Sequence, residues 1–142
     1  MAQLIPCTCR VTGSGAGPIL ITSQPISFWG GVDPKHGSIC DPRHELYEHF
    51  IVGKVLVFPF GKGSAAAPMV FLELCRRNKH PAALVLLEID PLLVSGPILS
   101  KHVYNKVIPV VTLSPESFRL LEKGTKGTVN SLNTGSMIQF TS

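Results

Sequence analysis

The apolar residues of this chain gather in three short unbroken runs separated by longer mixed stretches, a pattern that predicts buried strands joined by helices. The runs are Lys54-Val55-Leu56-Val57-Phe58, bounded by Gly53 and Pro59, then Ala83-Leu84-Val85-Leu86-Leu87, then Ile108-Pro109-Val110-Val111. Between the first two, Ser64 to Asn78 sets Val70, Phe71, Leu74 and Cys75 at helical spacing, with Ser64 placed as an N-cap. Between the second and third, Asp90-Pro91 opens a helical segment through His102, kinked or broken at Gly96-Pro97. Strand, helix, strand, helix, strand favours right-handed crossovers and parallel pairing. A last helix runs from Ser114-Pro115-Glu116 to Lys123 and stops at Gly124. The tail returns to strand over Gly127-Thr128-Val129 and Met137-Ile138-Gln139-Phe140.

Ahead of this alternation, residues 7–13 and 18–22 read as two strands of a hairpin turning at Gly13-Ser14-Gly15-Ala16-Gly17. From Ser23 to Phe50 there is punctuation rather than periodicity, and a stretch that long inside a compact domain is usually functional or disordered. Phe28 and Trp29 within it look buried, which argues for order.

At 142 residues, one domain over 1–142 is expected, with no repeat or linker. Charged residues make up 15%, well below the usual ~25%, so some apolar surface is expected to meet a partner. The net charge of +4 is scattered, with Arg76, Arg77 and Lys79 reading as a solvated helix end. Without a basic stripe and aromatic platforms, nucleic acid is not an expected partner. Nor is a membrane, since no run approaches the ~20 apolar residues of a spanning helix. The start, Met1-Ala2-Gln3-Leu4-Ile5-Pro6, lacks the basic and long apolar parts of a secretory signal, which places the protein in the cytoplasm. Cys7, Cys9, Cys40 and Cys75 are irregularly spaced and form neither a disulfide framework nor an ordinary metal set. His44 and His49 lie five apart, unlike the four-residue spacing of a zinc-protease helix. No metal ligand is therefore assigned.

Phe60-Gly61-Lys62-Gly63-Ser64 follows a buried strand and opens a helix, so Gly61 and Gly63 let backbone approach a ligand while helix-start amides face it. Such a place suits an anion. It is not a P-loop, which would need glycine at Leu56 and a hydroxyl at Gly63. Ser64 has two readings here: an ordinary N-cap, or a hydroxyl whose ionised form the helix dipole favours. Asp41, Arg43 and His44 form a candidate polar cluster, with Arg43 suited to a carboxylate or to a plain ion pair.

Four motifs then carry a resemblance. Pro25-Ile26-Ser27-Phe28-Trp29-Gly30-Gly31-Val32-Asp33, Ile39-Cys40-Asp41-Pro42-Arg43-His44, Gly61-Lys62-Gly63-Ser64 and His80-Pro81-Ala82-Ala83 occur in the order seen in the small subunit of aconitase X, which the chain resembles from about Gly17 to Val111. The resemblance implies an α/β fold: a swivelling β/β/α domain as in aconitase, a mixed β-sheet or barrel with parallel strand-helix-strand units. It implies a hydro-lyase active only as a heterodimer or larger assembly with a large subunit. That subunit carries an iron-sulfur cluster, whose iron acts as a Lewis acid on a departing hydroxyl.

Carried onto this chain, the catalytic base is Ser64. Gly61, Lys62, Gly63, Trp29, Arg43 and His44 are expected around the substrate, a small hydroxy acid. The family holds two substrate classes. The Ser-Phe-Trp-Gly-Gly form and the Val94 to Tyr104 segment look closer to the bacterial cis-3-hydroxy-L-proline dehydratases, with mevalonate 5-phosphate dehydratase as the alternative. A noncatalytic swivel module binding a partner through Phe28 and Trp29 is a reading of another class, and a lone anion-binding protein is a third.

Overall fold

The structure is a computed structural model that describes residues 2–142; Met1, where the leader reading begins, lies outside them. In chain order the elements are β1 (Gln3–Pro6), β2 (Thr8–Val11), β3 (Gly13–Ile21), α1 (Phe28–Gly31), β4 (Val32–Asp33), β5 (Ser38–Ile39) and β6 (Val55–Phe58). They continue with α2 (Ala67–Arg76), β7 (Ala83–Leu86), α3 (Pro91–Tyr104), β8 (Val110–Thr112), α4 (Pro115–Leu121), β9 (Lys126–Ser131) and β10 (Met137–Thr141).

The three apolar runs form β6, β7 and β8, neighbouring and parallel as expected. They are unbroken because both of their faces are covered. Leu56, Phe58, Leu84, Leu86 and Val110 pack with Phe71 and Leu74 of α2 and Leu93 of α3 on one side. Val55, Val57, Val85 and Val111 pack with Phe118 of α4, Val129, Ile138 and Phe140 on the other. The layers are therefore antiparallel strands, parallel strands and helices, the β/β/α arrangement. Strand order is β1-β10-β9-β3-β6-β7-β8-β2, an open mixed sheet with β1 and β2 at its ends, so among the described residues it is not a closed barrel.

The N-terminal hairpin does not form. Gly13 to Ile21 is one continuous strand, antiparallel to β9 over residues 13–18 and parallel to β6 over residues 19–21. Its glycines serve close approach rather than turning. A Cβ on Gly15 would collide with the Ala82 carbonyl oxygen, and one on Gly17 with that of Gly53. At Gly13 it would lie 2.6 Å from Val107, with Pro109 3.5 Å away. Gly13, Gly15 and Gly17 share one face by the two-residue period of a strand. The backbone entering β8, β7 and β6 passes over that face in turn.

The helices largely follow expectation. Asp90 caps α3, its side chain accepting from the Leu92 amide, and the helix runs through Pro97 without a break. Gly96 is needed there because a Cβ would sit 2.9 Å from Phe71 of α2. Arg76 and Arg77 pair with Glu73 at the solvated end of α2, holding that carboxyl down at about 2. Ser64, however, is not the N-cap. The cap position of α2 is Ala66, and Pro68 occupies the first turn. No helix among the described residues is long and apolar enough to cross a membrane.

Candidate functional site

Phe28 explains how the irregular stretch from Ser23 to Phe50 stays ordered. It is buried, tilted against Phe58 at 6.2 Å and Phe71 at 5.9 Å between ring centres, and so pins the loop over the end of β6. Ile26 makes a parallel bridge to Gly61: its amide donates to the Phe60 carbonyl at 3.3 Å, and its carbonyl accepts from the Lys62 amide at 3.1 Å. The loop and the glycine-rich turn thus behave as short strands lying side by side. Trp29 does not pack inside. It follows the anchor Phe28 and turns outward, 58% exposed, because Trp29 and Gly30 leave helical geometry.

Gly61 and Gly63 are held in place by neighbours that sequence reasoning did not supply. A Cβ on Gly61 would stand 2.9 Å from the Asp90 carboxylate, and one on Gly63, whose φ is +106°, 2.6 Å from the Ser27 hydroxyl. Asp90-Pro91 was legible as a helix cap and Ser27 as part of a motif. Their meeting across the glycines depends on loops from different strands. Beyond the glycines, Ser64 is half-buried. Its Oγ accepts from the Ala66 amide at 2.9 Å and its carbonyl from the Ala67 amide, so it closes the turn that leads into α2.

Two open cavities adjoin this turn. One, of about 550 Å³, is lined by Ser27, Trp29, Gly30, Arg43, Lys62 and Gly63 among others. The second, of about 390 Å³, is lined by Gln24, Pro25, Asp41, Arg43, His44 and Lys62. The structure therefore brings Trp29, Arg43, His44, Lys62 and Gly63 together from three separate motifs. Ser64 and Gly61 line neither cavity; Ser64 follows Gly63 in the chain, just past the rim. A larger cavity of about 630 Å³ lies elsewhere, beside β3, β9 and β10, and contains none of these residues.

The site carries positive charge with one carboxylate inside it. Asp41 accepts from the Arg43 amide and guanidinium and lies near Lys62, which together hold its carboxyl below the usual range. Arg43 meets it through Nε alone, and its side chain is 91% exposed. Most of the guanidinium fork stays available to a ligand. His44 uses both ring nitrogens on backbone: Nδ1 accepts from the Leu46 amide at 3.0 Å and Nε2 lies 3.2 Å from the Pro25 carbonyl.

The cysteines do not fit an iron-sulfur cluster. Burial pushes the Cys7 thiol to about 11, with Cys9 adding to the shift, and burial also pushes Cys75 to about 11. Cluster ligands must be thiolates. Among the described residues no three His, Cys, Asp or Glu side chains are grouped to hold a metal. Burial and the nearby Asp33 also push the Cys40 thiol up, but it is exposed, so native-state alkylation at pH 8 is expected to reach Cys40 well ahead of half-buried Cys7 and buried Cys75. Peptide mass spectrometry reads this, and rapid labelling of Cys7 would overturn it.

Comparison with known proteins bears on the same residues. A family model described as the aconitase X swivel domain matches residues 4–138. The phosphomevalonate dehydratase small subunit of Methanothrix thermoacetophila is 42% identical over 122 residues, covering 85% of this chain and 85% of that one. The cis-3-hydroxy-L-proline dehydratase of Pseudomonas aeruginosa is 36% identical over 112 residues, 79% of this chain but 19% of that longer protein. Among solved structures, a chain of Thermococcus kodakaraensis aconitase X superposes with a TM-score of 0.78 at 29% identity, covering 97% of this chain and 99% of that one.

Proposed function

Because the chain belongs to the aconitase X swivel-domain family, we propose that it acts as the small subunit of a hydro-lyase and supplies Ser64 as the base. The observation that carries this reading is the Ser64 hydroxyl, fixed by the Ala66 amide on a glycine-flanked turn at the start of α2 and following cationic Lys62. A free serine is a poor base. An amide donated to its oxygen and the positive end of the ten-residue helix that follows both favour the ionised form. Ser64 takes the proton from the carbon beside a carboxylate. The hydroxyl on the next carbon leaves, a carbon-carbon double bond forms, and water is the second product. The iron-sulfur cluster that the family implies is assigned to the large subunit, since no fitting ligand set is found among the described residues.

For the substrate, a phosphorylated hydroxy acid such as mevalonate 5-phosphate is the first reading. Arg43 and Lys62 line both cavities, two cations suited to a phosphate. Relatives named phosphomevalonate dehydratase small subunit also reach higher identity than the hydroxyproline enzymes, 42% against 36%. cis-3-Hydroxy-L-proline, which the motif spelling favours, is the second reading, supported by the 34% and 36% identical relatives of that name.

Co-expression with the large subunit and assay of both compounds separates them. Turnover of the phosphorylated substrate alone is expected, and turnover of hydroxyproline alone overturns the first reading. In the same complex Arg43→Ala is expected to raise KM about tenfold with kcat changed less than about threefold, as loss of a ground-state anion contact does. An unchanged KM would remove Arg43 from the substrate site.

A further inference from the structure

The geometry points to His44 as a positioning residue that holds the Ser64 turn from a distance, an inference that rests on the proposed role of Ser64. Because Nδ1 accepts from the Leu46 amide, it carries no proton, and the ring hydrogen must sit on Nε2, from which it is donated to the Pro25 carbonyl. The imidazole is thus a neutral bridge with a set tautomer, and it ties the 41–46 loop to the 24–26 strap. The next residue along, Ile26, is the one whose amide and carbonyl pair with Phe60 and Lys62. The chain of contacts runs from His44 through Pro25 and Ile26 to Lys62, two residues short of Ser64.

A second clasp holds the same two segments together. The Thr22 hydroxyl, 2% exposed as a residue, donates to the Glu45 carboxylate, and the Glu45 amide donates to the Gln24 side chain at 3.0 Å. Both contacts end on Glu45, next in the chain to His44, so His44 and Glu45 are the two links between the loop and the strap, and of the two only His44 reaches Pro25, the residue before Ile26. His44 faces the cavity, yet its polar atoms are turned to backbone, so its effect on substrate acts through the strap.

Hydrogen exchange on the full chain tests this without any catalysis. His44→Ala is expected to speed exchange of the Ile26 and Lys62 amides by about tenfold, with strands β6 to β8 unchanged. His44→Asn keeps an acceptor for the Leu46 amide but is too short to reach Pro25, and is expected to give the same local increase. Wild-type exchange in His44→Asn would show that the Pro25 bond holds nothing and would overturn the proposal. Unchanged exchange at both amides in His44→Ala would do so as well. Imidazole nitrogen shifts of the wild type are expected to show a proton on Nε2, and the Nδ1–H tautomer would also overturn it. In the assembled enzyme His44→Asn should lower kcat about tenfold with KM within about twofold. An equal fall of kcat with a large rise of KM would instead make His44 a substrate contact. Should Ser64 prove not to be the base, the exchange result would stand unaltered, which keeps the two failures apart.

Discussion

Ser64→Ala in the complex with the large subunit is expected to lower kcat by about 10²–10⁴, the range for loss of an acid-base group, while the chain keeps its fold. The structural cost should be slight. Ser64 is half-buried, and its backbone carbonyl still accepts from Ala67 when the hydroxyl is gone. Only the Ala66 amide loses a partner, and water can reach it. A fall in kcat with an unchanged melting temperature is therefore a chemical effect. Turnover within a few-fold of wild type would leave the chain as the noncatalytic swivel module considered above. Ser64→Thr is a useful companion: it keeps the hydroxyl but adds a methyl group, and should retain more activity than alanine.

The largest effect on stability is expected at Gly15. Gly15→Val puts a branched side chain where even a single carbon would meet the Ala82 carbonyl oxygen. That contact is backbone at the entrance of β7, which β6 and β8 hold from both sides, so it cannot swing aside. The cost should exceed about 3 kcal/mol, at the upper end of overpacking effects, and lower Tm by about 10 °C or more. Gly135→Ala is the control. Its φ is +72°, but nothing lies within 4 Å of an added Cβ, so only the left-handed backbone is penalised, by about 1 kcal/mol. Thermal unfolding of the two variants decides the matter. Equal shifts would mean that the glycine face of β3 is not under steric load.

What could be read from the sequence follows from which signals are local. β6, β7 and β8 were legible because burial on both faces leaves an apolar run with no polar interruption. The glycine segment of β3 misled because Gly-x-Gly-x-Gly is the composition of a turn, whereas here the missing side chains make room for three strand entrances that only the fold brings near. Trp29 misled for a related reason: next to a buried phenylalanine it looks like core, but one residue of strand-like backbone turns it to the opposite side.

At the candidate site, Gly61-Lys62-Gly63-Ser64 could be placed because a strand must end and a helix begin there. The gathering of Arg43 and His44 beside Lys62 was expected from the family resemblance, whereas the residues by themselves offered only a polar cluster of Asp41, Arg43 and His44. Ser27 and Asp90 were legible as a motif member and a helix opener but had no place at the site, and Gln24 had none either. Their positions depend on the Ile26 to Gly61 bridge, which pairs residues with no local spacing relation, and periodicity carries no record of such a bridge.

The pairing of β1 with β10 sets Gln3 opposite Phe140 and Pro6 opposite Met137, so two strands about 130 residues apart along the chain must meet. At ~5–20 residues per second, β1 waits roughly 7–27 s for β10 to be made, while β6 to β8 and their helices can already assemble. During that interval Leu4 and Ile5 sit in an unpaired edge, open to other nascent chains. Chaperone demand and yield at high expression should accordingly track translation speed more than the stability of the finished fold.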